Sequence, residues 1–346
     1  MSLIKYIARR LIFLIPILFG TLTLTFVLSR FMPGDPVLGY VANLGQNGFE
    51  RGLSPGEYER ALKLLGLDKP VLEQYAIYLK DLFTGNWGYS VSIVRGEAVW
   101  DLISQRIPRT VDLALFSILI AVPLGIKTGM ISAKHRNKAQ DTFTRGFSLI
   151  GVSIPVFFLG LMFQYVFGYT LGLFPISGYK NYAYSDPPYV TGFRIIDALI
   201  SGQLYIISDY LYHLILPVTV LSFTILGNIT RQTRSSMLEV LEEDYIRTAR
   251  VKGCDEKNVL YIHARKNALI PTVTVVGLNL GGFLAGAVLT EVTFNFLGIG
   301  DLLIAAIALN DYWVLNGIVF FITICYVLIN LVIDIIYSML DPRISY

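Results

Sequence analysis

Residues 239–271 read EVLEEDYIRTARVKGCDEKNVLYIHARKNALIP, a charged, helix-forming stretch between two apolar segments that are each long enough to cross a bilayer. The capping-box spacing of Ser236 and Glu239 predicts that a helix begins there. We expect this helix to end at Gly253, because glycine readily adopts the left-handed conformation that a helix C-terminus commonly requires. Asp255 is then placed to cap a second helix, which we expect to run from Glu256 to about Leu269. The stretch therefore predicts two short helices that meet at a glycine.

The rest of the chain is dominated by apolar residues. Hydrophobic residues make up 54% of the sequence and charged residues 15%, which is typical of an integral membrane protein. Uncharged runs of spanning length lie at Leu11–Ser29, Gly146–Tyr179, Tyr210–Thr230, Asn267–Thr290 and Tyr312–Ile333. A sixth run, Thr110–Met130, is interrupted only by Asp112 and Lys127 near its ends. The sequence therefore predicts an all-α membrane protein with six transmembrane helices.

The distribution of basic residues predicts how these helices are oriented. Met1–Arg10 contains three basic residues and no acidic one, Lys127–Arg145 contains five against one, and Arg231–Lys266 contains eight against six. The alternate segments are balanced or acidic. Because basic residues in short loops stay on the cytoplasmic side, we expect both termini and the 239–271 stretch to be cytoplasmic. The net charge of +3 then reflects topology, and no nucleic-acid partner is expected.

A long polar segment follows the first span, and we therefore divide the chain into three parts. Residues 1–32 form the N-terminal span, residues 33–108 an external insert, and residues 109–346 a five-helix core that contains the 239–271 stretch. Within the insert, Leu53 to Tyr58 has the pattern of a helix start. The spacing of apolar residues in Val71–Phe83 predicts a short amphipathic helix.

The chain lacks the sequence patterns of an ATPase, a hydrolase or a metal site. No Walker pattern is present, and no Gly-x-Ser-x-Gly or HExxH motif occurs. The three histidines, His135, His213 and His263, have no second ligand at helical spacing, so no metal site is expected. Cys254 and Cys325 fall in a predicted cytoplasmic loop and within a predicted span, which argues against a disulfide.

Two interpretations of the charged stretch remain open on physical grounds. It could lie on the anionic inner leaflet as an amphipathic element. It could instead dock in a groove of another protein. The six acidic residues that accompany eight basic ones in Arg231–Lys266 favour this second interpretation.

The stretch resembles the EAA loop of binding-protein-dependent ABC importer permeases, in the branch that imports dipeptides, oligopeptides and nickel. That loop has Glu-Ala-Ala, three residues and then Gly, where this chain has Arg247-Thr-Ala249, three residues and then Gly253. The departure at the first two positions is shared by the peptide branch, as is the closing proline at Pro271. Other matching segments are Pro33-Gly-Asp-Pro36, Gly66-Leu-Asp-Lys-Pro70, Ser153-Ile-Pro-Val-Phe157, Leu173-Phe-Pro-Ile-Ser-Gly178 and Leu340-Asp-Pro-Arg-Ile344. The external insert is similar to that of the B-type subunit.

The resemblance implies the type I ABC importer permease fold in the inner, or cytoplasmic, membrane. It implies a second homologous permease subunit, two ATPase subunits, an extracytoplasmic solute-binding protein and membrane lipid as partners. ATP and Mg would be bound by the ATPase subunits, so no cofactor is expected in this chain. The residues expected to couple the permease to an ATPase are Arg247, Thr248, Ala249, Gly253, Asp255 and Glu256.

Polar residues within the predicted spans are candidates for lining a translocation pathway. They are Gln164, Asn228, Asn279 and Asn330. Hydrogen bonding between helices is the alternative role for each of them. The resemblance implies a peptide substrate, with an oligosaccharide as the alternative. A self-sufficient secondary transporter and a membrane scaffold are the rival protein classes. The first would normally show ionisable residues within the spans or inverted repeats, which the sequence does not show convincingly, and the second leaves the charged stretch unexplained.

Overall fold

The computed structural model of the protein describes residues 3–31, 37, 55–64 and 66–340. These residues are helical or irregular and contain no strand, apart from an isolated bridge between Tyr89 and Ala98. We number the helices α1 (Leu3–Phe31), α2 (Pro55–Leu64), α3 (Val71–Thr84), α4 (Val99–Ser104), α5 (Ile107–Lys134), α6 (Ala139–Ser153), α7 (Val156–Phe163), α8 (Arg194–Ile200), α9 (Leu204–Leu241), α10 (Asp244–Val251), α11 (Glu256–Asn258), α12 (Arg265–Phe294), α13 (Ile299–Ala308) and α14 (Tyr312–Leu340). Two π-helical segments, Gln164–Thr170 and Val259–Ala264, extend α7 and α11.

Three helical segments of the described chain are long and apolar enough to cross a membrane: Val99–Lys134, Leu204–Leu241 and Tyr312–Ile333. They contain three of the six predicted spans. Up to five result if two bent helix pairs, Ala139–Ser153 with Val156–Thr170 and Ala287–Phe294 with Ile299–Ala308, each count as one span. Residues Ile15–Phe31 of α1 form a shorter apolar helix. The predicted amphipathic helix at Val71–Phe83 is confirmed as α3, whereas the insert's PGDP motif and residue 53 lie outside the described residues.

The predicted span at Gly146–Tyr179 is not one continuous helix in the structure. The chain bends by 104° between α6 and α7, and the helical part that follows ends at Thr170. The break lies at Ile154 and Pro155, where Ile154 is extended, with φ −84° and ψ 127°. A proline disfavours the helical conformation of the residue before it and has no N–H to donate, so the helix ends there.

Two compact units make up the structure. One comprises Arg109–Leu297 and Ile329–Tyr346, and the other comprises Ser2–Pro108 and Gly298–Leu328. The second unit has two apolar clusters. Its fully or nearly fully buried residues are Val99, Leu102, Ile103, Ile299, Leu302, Ala306, Val314, Leu315 and Ile318 in one cluster, and Leu22, Phe26, Tyr78, Leu82 and Phe320 in the other.

A buried carboxylate organises the loop that precedes α4 in this second unit. Asp311 is fully buried, and its Oδ2 accepts hydrogen bonds from the hydroxyl of Ser90 at 2.6 Å and from the backbone N–H of Val91, Ser92 and Ile93 at 3.0, 2.9 and 3.2 Å. Several donors satisfy the charge that burial would otherwise make costly. The loop is therefore held by a residue more than 200 positions away in the sequence.

The first unit is built around the 38-residue helix α9, which packs against α6, α7, α8 and α12. Its contact with α5 is close because Gly125 and Gly129 lie on the same face of α5. A Cβ atom at Gly129 would lie 2.6 Å from Cβ of Thr233, and one at Gly125 would lie 2.7 Å from Cγ2 of Ile229. Small residues at this spacing let helices approach closely in membranes.

Hydroxyl groups add polar links between the same helices. Ser222 donates to the carbonyl of Ser117 at 3.1 Å, and the hydroxyls of Thr128 and Thr230 lie 2.7 Å apart. In a nonpolar environment such bonds satisfy side chains that would otherwise have no partner. The α5–α9 contact is thus both closely packed and hydrogen-bonded.

The loop between α7 and α8 is ordered by Asp197. This carboxylate is buried and accepts hydrogen bonds from the backbone N–H groups of Val190, Thr191 and Gly192 at 3.3, 2.8 and 2.9 Å, and from the hydroxyl of Thr191 at 2.7 Å. Burial alone would raise the pKa of Asp197, but the hydrogen bonds outweigh it and hold the pKa below its ordinary value. Nearby, Lys180 and Arg194 both pair with Asp186.

We expect Gly129→Ala to destabilise the first unit by about 1–3 kcal/mol, because the added methyl group overpacks the α5–α9 contact. Thermal unfolding of the purified protein measures the effect. Gly20→Ala is the matched control, since a Cβ at Gly20 meets nothing within 4 Å. Equal melting temperatures for the two variants would contradict the assigned packing.

We expect the loop that Asp197 orders, between α7 and α8, to be sensitive to acid. Since its folded-state pKa is depressed, its contribution to stability is complete above the ordinary value of 3.8 and is lost as the pH falls through the lower folded-state value. Hydrogen-exchange protection of residues 186–197 should therefore be retained at pH 5 and should decline as the pH falls below the ordinary value of 3.8. Asp197→Ala should lower the protection at pH 5, where the carboxylate is ionised, and should remove its dependence on acid pH. Asp68→Ala, which removes an exposed carboxylate, should leave the protection unchanged.

Candidate functional site

The candidate site is the hairpin formed by residues 242–264, which joins α9 to α12. The predicted helix start at Ser236 is wrong, because α9 continues to Leu241. Ser236 is buried within α9, and its hydroxyl oxygen accepts a hydrogen bond from the side-chain amide of Gln232 at 3.0 Å. The break comes at Glu243, whose extended backbone, with φ −68° and ψ 147°, precedes α10. The packing of fully buried Met237 accounts for the longer α9, since it extends the apolar face by another turn.

The turn after α10 confirms the prediction for Gly253. Its φ of +83° is in the left-handed region. The N–H of Cys254 donates to the carbonyl of Ala249 at 3.1 Å, and the N–H of Gly253 donates to that of Arg250 at 3.0 Å. This pair of bonds is the Schellman motif, which satisfies carbonyl groups left free at the helix end. The hairpin is therefore sharp and has a defined geometry.

The second half of the hairpin differs from the predicted helix between Glu256 and Leu269. After the single turn of α11, the π-helical segment leads without a break into α12, and Pro271 lies inside α12. Asp255 occupies the cap position in an extended conformation, but its side chain makes no capping hydrogen bond. A π-helical turn rotates the side chains that follow it, and such turns are frequent at functional sites.

One face of the hairpin is buried against α5, α9 and α12. Ile246, Val259 and Ala264 are fully buried, and Leu260 is 3% exposed. They form an apolar cluster with Met130, Ala133, Met237, Ala249 and Ala268. We call this cluster the hairpin seat. Because a close-packed contact resists deformation, displacement of the hairpin would be transmitted to these helices.

The opposite face of the hairpin is exposed and mixes charged with apolar side chains. Val251 is 89% exposed and Ile262 is 62% exposed. Arg250 pairs with Glu256 across the turn, with Nε and Oε1 2.8 Å apart. This face therefore combines apolar side chains with charged ones, as the core and the polar rim of a protein interface do.

The structure divides the predicted coupling residues between the two faces. Five are exposed: Arg247, Thr248, Gly253, Asp255 and Glu256. Ala249 is 8% exposed and belongs to the hairpin seat. Sequence reasoning missed Val251 and Ile262. The signal was present, since an aliphatic residue between Arg250 and Lys252 lies on the polar side of an amphipathic helix.

The predicted pathway residues lie in separate helices. Gln164 is buried, and its side-chain amide donates to the carbonyls of Ile176 and Thr293 at 2.7 and 2.9 Å. Asn228 in α9 and Asn330 in α14 are half-buried. The side chain of Asn279 lies outside the described part of the structure. Among the described residues, no group of three or more His, Cys, Asp or Glu side chains is arranged to hold a metal ion.

Sequence reasoning also missed a buried ion pair beside the hairpin seat. Asp141 of α6 accepts hydrogen bonds from Nε and Nη2 of Arg234 in α9, at 2.7 and 2.9 Å, and from the hydroxyl of Ser132 in α5 at 2.6 Å. The Asp141 side chain is 1% exposed. Asp141 is the one acidic residue of the basic segment Lys127–Arg145, and that contrast was the available signal.

Comparison with known proteins covers nearly the whole chain. Residues 125–346 match the family described as the binding-protein-dependent transport system inner membrane component, and residues 3–114 match its N-terminal counterpart. The chain is 42% identical to the di/tripeptide transport system permease protein DppB of Pseudomonas aeruginosa (strain UCBPP-PA14), over 99% of both proteins. It is 40% identical to the dipeptide transport system permease protein DppB of Alkalihalophilus pseudofirmus, over 99% of this chain and 100% of the relative. Identity to the Escherichia coli (strain K12) protein of that name is 38%, over 99% of both.

Truncating a side chain should destabilise the hairpin on its buried face and should have little effect on its exposed face. Ile246→Ala should destabilise the hairpin by about 2–4 kcal/mol, because it leaves a cavity in the seat. Val251→Ala should change its stability by less than about 0.5 kcal/mol, because the side chain is exposed. Hydrogen exchange of residues 244–264, measured in the two purified variants, distinguishes these two effects. Equal loss of protection in both variants would contradict the assignment of faces.

Proposed function

The chain belongs to the family of inner-membrane components of binding-protein-dependent transport systems, and we propose that it is the B-type permease subunit of an ATP-driven peptide importer. The observation that carries this proposal is the hairpin. It has a buried apolar seat and an exposed face of aliphatic and charged residues, as a lever between two proteins requires. Similarity to dipeptide permeases along the whole chain supports a peptide substrate.

The proposed assembly contains this chain, a second homologous permease subunit, two ATPase subunits and an extracytoplasmic solute-binding protein. The two permeases form the pathway between them. ATP and Mg are bound by the ATPase subunits, which supply the chemical free energy. This chain contributes no catalytic group and moves in response to its partners.

We place six spans in the membrane, namely α1, α5, the bent pair α6–α7, α9, α12 and α14. The excess of basic residues in the segments 1–10, 127–145 and 231–266 supports cytoplasmic termini and a cytoplasmic hairpin. The solute-binding protein then delivers its cargo to the opposite side, where the insert at 33–108 lies.

Docking of the hairpin on an ATPase subunit explains its exposed face. Val251 and Ile262 provide apolar contacts that become buried, and the charged residues around them specify the partner and the orientation. Gly253 fixes the angle between the two arms of the hairpin. When the ATPases close, the docked hairpin moves as a unit and its seat transmits the displacement to α5, α9 and α12. Such a change of state requires that the partners bind the two conformations with different affinities.

The proposal predicts that Gly253→Val uncouples transport. A β-branched residue at a φ of +83° is strained, so the turn that presents the docking face is distorted. We expect loss of peptide uptake and loss of the ATPase subunits from the purified complex, with the second permease retained. Both are measured in cells that express the complete operon, by uptake of a labelled dipeptide and by mass spectrometry of the solubilised complex.

Gly202→Val is the matched control, because Gly202 has a φ of +71° and is equally free of neighbours but precedes α9 at its other end. Its strain should leave ATPase recovery unchanged. Normal uptake by Gly253→Val at wild-type abundance would refute the coupling role. A chain that purifies without ATPases and still transports after reconstitution would refute the importer itself.

A further inference from the structure

A cavity of about 530 Å³ lies between α6 and α9 in the first unit, at the hairpin end of these helices. Its lining is unusually rich in hydroxyl and guanidinium groups for a site between two helices of a membrane protein. The residues that define its character are Thr142, Arg145, Leu149, Val152, Arg231 and Ser235. The proposed docking face includes none of them.

Two positive charges in this cavity lack acidic partners. Arg145 of α6 and Arg231 of α9 are exposed, and within the described residues neither forms an ion pair. Arg234, which also lines the cavity, behaves differently because both of its hydrogen-bonding contacts go to Asp141. An anion that enters the cavity would therefore meet two uncompensated guanidinium groups, which bind phosphate well.

The cavity also has an apolar side. Leu149 and Val152 line it, and α6 presents Phe143, Leu149 and Ile150 to the surroundings with 75%, 66% and 51% exposure. A site that combines cationic and hydroxyl groups with a neighbouring apolar ridge matches an amphiphile. A free inorganic anion would leave the ridge uncovered, whereas the acyl chains of a phospholipid would cover it.

We propose that this cavity binds the headgroup of an anionic phospholipid from the leaflet on the hairpin side of the membrane. Arg145 and Arg231 hold the phosphate, the hydroxyls of Thr142 and Ser235 bind the glycerol part, and the acyl chains lie along α6. Basic pockets between transmembrane helices bind anionic headgroups in this manner. The inference rests on the membrane placement given under the proposed function, and it does not depend on the substrate.

At this position, a bound lipid would affect the contact between α6 and α9. The cavity borders the ion pair of Asp141 with Arg234, which joins α6 to α9 seven residues before α9 ends. A lipid that bridges Arg145 and Arg231 would join the same two helices again. Bound anionic lipid should therefore stabilise the base from which the hairpin projects.

The test measures phosphatidylglycerol that remains bound to the full-length chain, purified with its co-expressed partners in mild detergent and washed. Arg145→Gln combined with Arg231→Gln should reduce bound phosphatidylglycerol about 25-fold, because each basic residue near the membrane surface contributes about fivefold to anionic-lipid binding. Lys134→Gln combined with Lys138→Gln removes the same charge from exposed sites outside the cavity and should leave retention unchanged. Phosphatidylcholine should be retained poorly by all three proteins.

A second pair keeps the test informative if the double variant folds poorly. Arg145→Lys with Arg231→Lys preserves both charges and should retain phosphatidylglycerol within about fivefold of the wild type. Equal retention by all variants would overturn the proposal, as would displacement of the lipid by excess inorganic phosphate, which would indicate a simple anion site. Recovery of the ATPase subunits is scored in the same samples, so loss of the lipid site and failure of the importer assignment are separate results.

Discussion

The buried ion pair between Asp141 and Arg234 is the interaction on which the hairpin end of the structure depends. It joins α6 to α9 directly and α5 through the hydroxyl of Ser132, so three helices meet at one carboxylate. Removal of one partner from a buried pair typically costs about 3–5 kcal/mol, because the other charge is left without compensation. The pair therefore fixes the position of α9 just before the chain enters the hairpin, and it makes that part of α9 suitable as the base of a lever.

In the proposed function, the two faces of the hairpin have different roles. Its seat, centred on Ile246 and Val259, has the packing of a protein core, and packing of that kind has few alternative arrangements. The exposed face carries Val251 and Ile262. A rigid element with a buried face and a docking face can transmit force without a large internal rearrangement. Gly253 reverses the chain within a short distance, so both arms could contact the proposed ATPase partner.

Close helix packing and lipid contact account for other features of the first unit. Gly125 and Gly129 let α5 approach α9 so closely that a single methyl group would overlap with Ile229 or Thr233. On the α6 side of α9, the side chains leave a cavity with two cationic groups at its rim. Helix α9 is thus packed against both α5 and α6, and the cavity beside the α6 contact is where we propose that lipid binds.

Local signals in the sequence determined the helical class, the apolar segments, the amphipathic helix α3 and the left-handed turn at Gly253. Each depends on residues within a few positions of one another, and hydropathy, periodicity and backbone conformation express them directly. Sequence similarity along the whole chain also identified the protein family. Only the tertiary structure decided that α9 passes Ser236 without a break, that Ala249 is buried and Val251 exposed, and that Asp141 pairs with a residue 93 positions away. Those outcomes depend on contacts between distant segments. A capping pattern or a single acidic residue has the same local sequence whether or not a distant helix packs against it. Its role is therefore decided by the tertiary contacts and cannot be read from neighbouring residues.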